Sequence, residues 1–149
     1  MRPAVVALIV TAILLAVSQA PARQASVAAA NRSTAVYAEI AKAPEKARAK
    51  HNPLESDPDA AVAGKILFEQ HCAECHGDAA QGGRKAPSLR AAEIQDATPG
   101  AIFWILTNGV VRRGMPVWSK LPEPQRWQIV SYIKSLAVAS RDAARVTPR

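Results

Sequence analysis

The sequence has little of what usually fills or staples a small interior. Its 149 residues include only two Cys, two Met, two Phe and two Tyr. Two Cys allow one disulfide at most and supply only half of the four ligands of a closed zinc site. With so few rings, the interior lacks its own large aromatic filling. A domain of this size often needs a metal, a disulfide or a cofactor to complete its core. No internal repeat is visible, and no stretch shows the sustained alternation of a half-buried strand. The longest apolar run, residues 4–17, has 14 positions, short of the about 20 that a transmembrane helix requires.

Net charge is +7, with 19 Lys or Arg against 12 Asp or Glu. The excess sits at the ends. Residues 57–139 hold nine basic and eight acidic side chains, so the remainder holds ten and four. Basic tails attract nucleic acid or anionic lipid. These lack the interleaved aromatics of a single-strand binder and any helical recognition pattern, so no nucleic-acid partner is expected.

Four regions follow. Residues 1–22 read as a signal peptide: Arg2 leads, the apolar run follows, and Ser18, Ala20 and Ala22 supply small residues near a cut. An uncleaved anchor is the alternative, and it would tether the chain to a membrane. Residues 23–56, dominated by Ala, Arg, Lys and Pro, read as a flexible basic tether. A short helix is predicted at 33–42, with Pro44 and Pro53 breaking any extension, and His51 solvated. Residues 57–139 form the domain. Residues 140–149 are a basic C-terminal tail.

Within the domain, Asp57-Pro58 predicts an N-cap followed by a first-turn proline. Val62, Ile66, Leu67 and Phe68 then keep helical spacing up to His71. Gly64 and Phe68, four apart, share a face on which the glycine admits a close neighbour. Residues 77–88 hold three Gly and one Pro and read as a loop. A short helix covers 89–95. Thr98-Pro99 opens another, through Ile102, Phe103, Ile105 and Leu106, and Asn108-Gly109 stops it. Residues 110–122 are irregular. The last helix starts at Pro124 and repeats Trp127, Val130, Ile133 and Leu136. The predicted class is all-α.

Cys72-Ala73-Glu74-Cys75-His76 is a C-x-x-C-H motif. Two thiols three apart on one turn can add to the two vinyl groups of a haem, and the next residue places an imidazole beneath the iron. A thioredoxin-like dithiol needs a buried strand before the pair, which is absent here. For zinc, His71 and His76 flank the Cys pair too tightly to complete a tetrahedron. A disulfide across three positions would staple almost nothing. A covalent haem c is the expected cofactor, and it would supply the missing core.

Met115 is the second ligand candidate. Once the initiator leaves with the signal it is the last thioether in the chain, 39 positions after His76. Its setting, Arg113-Gly114-Met115-Pro116, fixes an irregular backbone, whereas a core Met more often sits at periodic spacing on a helix. His71 precedes Cys72 directly, on the side of His76, and is a poor rival. His51 competes only if the tether folds over the haem.

Together, Gly64 with Phe68, residues 72–77, Pro87-Ser88-Leu89, Gly114-Met115-Pro116 and the helix at 127–136 resemble small class I bacterial cytochrome c domains. The resemblance covers about residues 58–138. It implies a cytochrome c-like fold, a few helices wrapped around one haem, with the first and last crossing. Gly64 and Phe68 would lie on one side of that crossing, Tyr132 and Val130 on the other. It also implies that the Pro87 carbonyl accepts a hydrogen bond from His76 Nδ1, fixing the ring and tuning its basicity; on its own, Pro87 reads equally well as an ordinary loop proline.

Trp104 and Trp118 pack near the porphyrin on this reading, although plain core aromatics would occupy similar places. Arg84, Lys85, Arg90, Arg112 and Arg113 either neutralise haem propionates and rim the haem edge, steering an acidic partner, or are solvated charge. Glu74 and Glu93 stand in no paired-carboxylate context. With His76 and Met115 both on iron, no position stays open for substrate. The expected activity is then one-electron transfer rather than enzymatic turnover, in a periplasmic carrier between a dehydrogenase or quinol-linked donor and an oxidase or cytochrome acceptor. The alternatives are a haem-bearing subunit of a larger dehydrogenase, a haem enzyme or sensor with a displaceable Met, and a haem-free dithiol protein.

Overall fold

The computed structural model describes residues 37–146, with side chains through residue 137. The expected signal segment 1–22, the stretch 23–36 and residues 147–149 lie outside the described residues. Six α-helices follow in order: α1 Glu45–Arg48, α2 Ala60–His71, α3 Ala73–His76, α4 Ala92–Gln95, α5 Pro99–Asn108 and α6 Glu123–Val146. Single 3-10 turns lie at Ile40–Lys42 and Val111–Arg113. Among the described residues the sole β pairing is one isolated bridge between Val110 and Met115. The fold is all-α.

The crossing of α2 and α6 organises the chain. Gly64 is buried where the helices meet, and a Cβ built there would stand 1.9 Å from the Gln128 carbonyl oxygen. Only a residue without a side chain permits that approach. One turn along α2, Phe68 is fully buried, its ring 5.1 Å from that of Tyr132. Ile129 and Val130 close the contact from α6 and are also fully buried.

Beside the crossing, α5 packs on α6. The Phe103 and Trp127 rings stack at 3.9 Å, and the buried Arg126 guanidinium lies 4.8 Å from the Phe103 centroid. Arg126 also donates to the Leu121 carbonyl and the Thr107 hydroxyl, so its charge is solvated by protein dipoles and a ring face. Thr98 caps α5 as its sequence predicts, its Oγ1 accepting from Ala101 N at 3.3 Å, and Gly109 follows the last turn.

Three boundaries differ from expectation. Asp57 does not cap a helix directly. Its carboxylate accepts from Asp59 N at 2.9 Å and turns the chain, so α2 starts at Ala60. Residues 37–56 are no free tether but lie on the domain. Ala43 is buried, and Tyr37, Ile40 and Leu54 pack against the α5–α6 core. Buried Asn52 donates to the Trp127 carbonyl and the Ser131 hydroxyl of α6 and accepts from Leu54 N. Gly100 admits the Ala47 carbonyl, which would stand 2.1 Å from a Cβ there. Finally, α6 runs to Val146, through most of the expected tail, because no proline interrupts it before Pro148.

Candidate functional site

The end of α2 and the single turn of α3 carry the C-x-x-C-H residues. Cys75 N and His76 N both donate to the Cys72 carbonyl, at 3.1 and 2.9 Å, which winds the two thiols and the imidazole onto one turn. Both thiols are free, Cys72 half-buried and Cys75 exposed. Burial, aided by the neighbouring Cys75, pushes the Cys72 thiol up to about 12. A redox dithiol attacks as thiolate and needs that value lowered, so Cys72 is poorly suited to disulfide exchange. Among the described residues no group of three or more His, Cys, Asp or Glu is placed to hold a metal ion.

His76 is buried, with only 8% of its surface exposed. Burial holds the imidazole below its ordinary range, with the Pro87 carbonyl pulling the other way. Pro87 O lies 2.9 Å from Nδ1. A carbonyl only accepts, so Nδ1 carries the proton and the lone pair of the neutral ring falls on Nε2. That is the tautomer and charge state an iron ligand requires.

The loop after α3 is built to deliver Pro87. Gly77 and Gly82 take positive φ, and so does fully buried Ala80. A Cβ on Gly82 would stand 2.4 Å from Ser88 N and 2.6 Å from the Pro87 carbonyl carbon. Gly82 N donates to His76 O at 2.7 Å, Gly83 N to Ala86 O at 2.9 Å and Leu89 N to Ala80 O at 2.9 Å. The run Gln81-Gly82-Gly83 is the sequence signal for this tight return.

Met115 sits in a smaller loop. Val110 N donates to Met115 O at 3.0 Å and Met115 N to Val110 O at 3.2 Å. Gly109, at φ +66°, makes room for the returning chain, since a Cβ there would stand 2.6 Å from Pro116 O. Met115 is half-buried against the α5–α6 core. Trp118, also half-buried, packs on that core and lies 5.3 Å, ring to ring, from His71. The structure therefore joins the residue before Cys72 to the segment just after Met115. Trp104 is half-buried on α5 and stands outside both core clusters among the described residues.

The basic residues divide. Lys85 pairs with exposed Glu74 at 3.1 Å, Arg90 Nε donates to Ala79 O, and Arg113 Nε pairs with Glu39 at 3.2 Å. Arg84 and Arg112 are exposed. His51 is exposed as well, in line with the solvated side chain expected for it. Tyr37 and Glu39, which reach the two site loops from a stretch that reads as linker, carry no periodic signal by which sequence alone would single them out.

These donors fit a haem: two free thiols on one turn, a buried neutral imidazole oriented by a carbonyl, and a thioether in a separate loop. Comparison with known proteins agrees. The family model described as "Cytochrome C oxidase, cbb3-type, subunit III" matches residues 59–133. A Cbb3-type cytochrome c oxidase subunit CcoP from Azospirillum sp. (strain B510) is 35% identical over 96 residues, 58% of this chain and 30% of that protein. The CcoP subunit of Rubrivivax gelatinosus is 30% identical over 106 residues, 70% of this chain and 33% of that one. Quinohemoprotein alcohol dehydrogenase ADH IIB of Pseudomonas putida is 33% identical over 97 residues, 64% of this chain and 14% of its own. The chain thus spans a third or less of the length of these relatives. In fold it resembles cytochrome CL from the methylotroph Methylophaga aminisulfidivorans, with a TM-score of 0.51 at 22% identity, covering 66% of this chain and 73% of that one. The chain belongs to the family of c-type cytochrome domains typified by cbb3 oxidase subunit III, for which haem c and haem-based electron transfer are implied.

Proposed function

We propose that this domain is a one-electron carrier with a single haem c held by thioether bonds from Cys72 and Cys75. His76 Nε2 and Met115 Sδ would be the axial ligands. The observation that carries this reading is the hydrogen bond from the buried His76 ring to Pro87 O. It leaves Nε2 as the ring's ligating nitrogen, one position after two unjoined thiols. Bound there, a haem supplies reversible exchange between ferrous and ferric iron, and a Met ligand favours the ferrous state. The chain's own contribution is positional. Pro87 fixes the His76 ring, the Val110 and Met115 bridge fixes the thioether, and Trp118 joins the two segments. If His76 and Met115 both hold the haem iron, no position would stay open to a substrate, which favours transfer over turnover.

The two CcoP relatives support a partner on the oxidase side, and the quinohaemoprotein supports a dehydrogenase as donor. Either partner meets the domain outside the cytoplasm if residues 1–22 direct export. Among the described residues no helix is long and apolar enough to cross a membrane, so any tether would come from elsewhere in the chain.

The test is direct. In protein matured with cytochrome-assembly machinery, a pyridine haemochrome spectrum should report one haem per chain, and the sulfurs of Cys72 and Cys75 should resist alkylation. Met115→Ala should lower the midpoint potential and admit carbon monoxide to ferrous iron. Colourless protein overturns the attachment; an unchanged titration without carbon monoxide binding overturns the Met ligand.

A further inference from the structure

Two interactions leave the short segment at residues 37–42 and end on different loops of the site. The Tyr37 hydroxyl donates to Ser88 O at 3.1 Å, and Ser88 directly follows the proline whose carbonyl orients His76. The Glu39 carboxylate pairs with Arg113 Nε at 3.2 Å, and Arg113 lies two positions before Met115 inside the bridged loop. Neither Tyr37 nor Glu39 falls within residues 59–133, the part matched by the family model. We propose that residues 37–42 are a strap that positions both ligand-bearing loops at once, Tyr37 holding the Pro87 loop and Glu39 the Met115 loop.

The strap has the properties such a role needs. Its far end is anchored, because Ala43 is buried and Ile40 packs on the α5–α6 core. Glu39 is itself gripped by Lys42 at 2.9 Å, so its carboxylate approaches Arg113 from a fixed turn rather than a free side chain. Tyr37 stays a neutral donor at physiological pH, since burial and the nearby Glu93 carboxylate both raise its pKa. The Met115 loop is tied to the body on its C-terminal side, where Met115 and Trp118 pack on the α5–α6 core and Trp118 N donates to Leu106 O at 3.2 Å. Its two bridge hydrogen bonds are internal to it, and its flanks Val111 and Val117 are exposed. An outside hold on Arg113 therefore restricts motion that the loop's own bonds leave free. Tyr37 and Glu39 are positioning residues: they act on His76 and Met115 through Ser88 and Arg113.

The ligand consequence rests on the His76 and Met115 assignment, and two readouts keep the questions apart. Holo-protein would be compared with Glu39→Gln and Tyr37→Phe by amide hydrogen exchange, by the near-infrared Met–iron band and by carbon monoxide association. Glu39→Gln should speed exchange at the Val110 and Met115 amides about fivefold and raise carbon monoxide association by a similar factor, on the scale of one partly exposed ion pair. Tyr37→Phe should speed exchange at Leu89, whose amide closes the Pro87 loop. The α2 and α6 amides of Phe68 and Ile129 should not change in either variant. Unchanged loop exchange, or an equal rise at Phe68 and Ile129, overturns the strap. A parent protein without the Met–iron band overturns the ligand assignment instead, and loop exchange alone then decides the strap.

Discussion

The two loops of the site are held in opposite ways. The His76 loop is secured mostly from within, with buried Ala80 at its centre, successive backbone hydrogen bonds around it and the Pro87 carbonyl pressed onto the ring, and Tyr37 adds one outside hold at Ser88. The Met115 loop has one bridge of its own and otherwise leans on its surroundings, on Glu39 through Arg113 and on His71 through Trp118. Val111 is 67% exposed and Val117 47%, so water reaches both sides of the bridge. The contrast assigns the two ligand candidates different duties. On the proposed ligation, His76 would be the firmer foundation and Met115 the adjustable side, where small changes in the chain would alter what iron experiences.

Damage to the inner loop should cost most. Gly82→Ala forces a Cβ into Ser88 and Pro87 at positive φ and should destabilise the domain by about 3 kcal/mol, the upper range for overpacking. A urea melt of the holo-protein checks it; a loss below half that value would mean the inner loop yields as easily as the outer. Gly109→Ala meets Pro116 O and Met115 O at 2.6 and 2.9 Å. It should cost less, about 2 kcal/mol, because the outer loop can swing into solvent. Its larger effect should be spectroscopic, a weakened Met–iron band at neutral pH. Gly82→Ala weakening that band more than Gly109→Ala would reverse the comparison.

The smallest effect concerns pH. The hydrogen bond from Lys42 and then that from Arg113 hold the Glu39 carboxyl below its ordinary range. A carboxylate with a depressed folded pKa stabilises the fold above its unfolded value of 4.5 and loses that contribution as pH falls through the folded pKa. Melting temperatures of the parent and Glu39→Gln should therefore differ slightly at pH 7 and converge as acid protonates the Glu39 carboxylate of the folded state. A difference that persists in acid would mean that the carboxylate's charge is not what links the strap to the outer loop.

Much of the local geometry around the candidate site is legible in the sequence because it is set within a few residues. Cys72, Cys75 and His76 lie within one turn, Thr98-Pro99 and Asn108-Gly109 bound α5, and Gly64 with Phe68 predicts a close crossing that Gln128 and Tyr132 complete. The expected His76 and Pro87 pairing is present at 2.9 Å. Residues 37–56 are hard to read because their anchors are isolated. Tyr37, Ala43, Asn52 and Leu54 fall at no helical or strand period, among Ala, Lys and Pro that resemble a linker. Asn52 shows the difficulty most plainly: a polar residue beside Pro53 reads as a turn, yet its amide is buried against α6. Nothing in the local sequence announces a partner 75 positions away. The end of α6 lies beyond its expected place for a related reason, since polar composition looks like a tail where only a proline stops the helix.

The crossing at Gly64 also sets an order of events in synthesis. A ribosome makes α2 before α6, and the two meet across more than 60 intervening positions at Gly64 and Gln128. Until α6 arrives, Phe68 lacks the Tyr132 ring that covers it. The α2 face that carries Gly64 and Phe68 therefore stays without its long-range partner until α6 is made, so the crossing forms late in the folding of the domain.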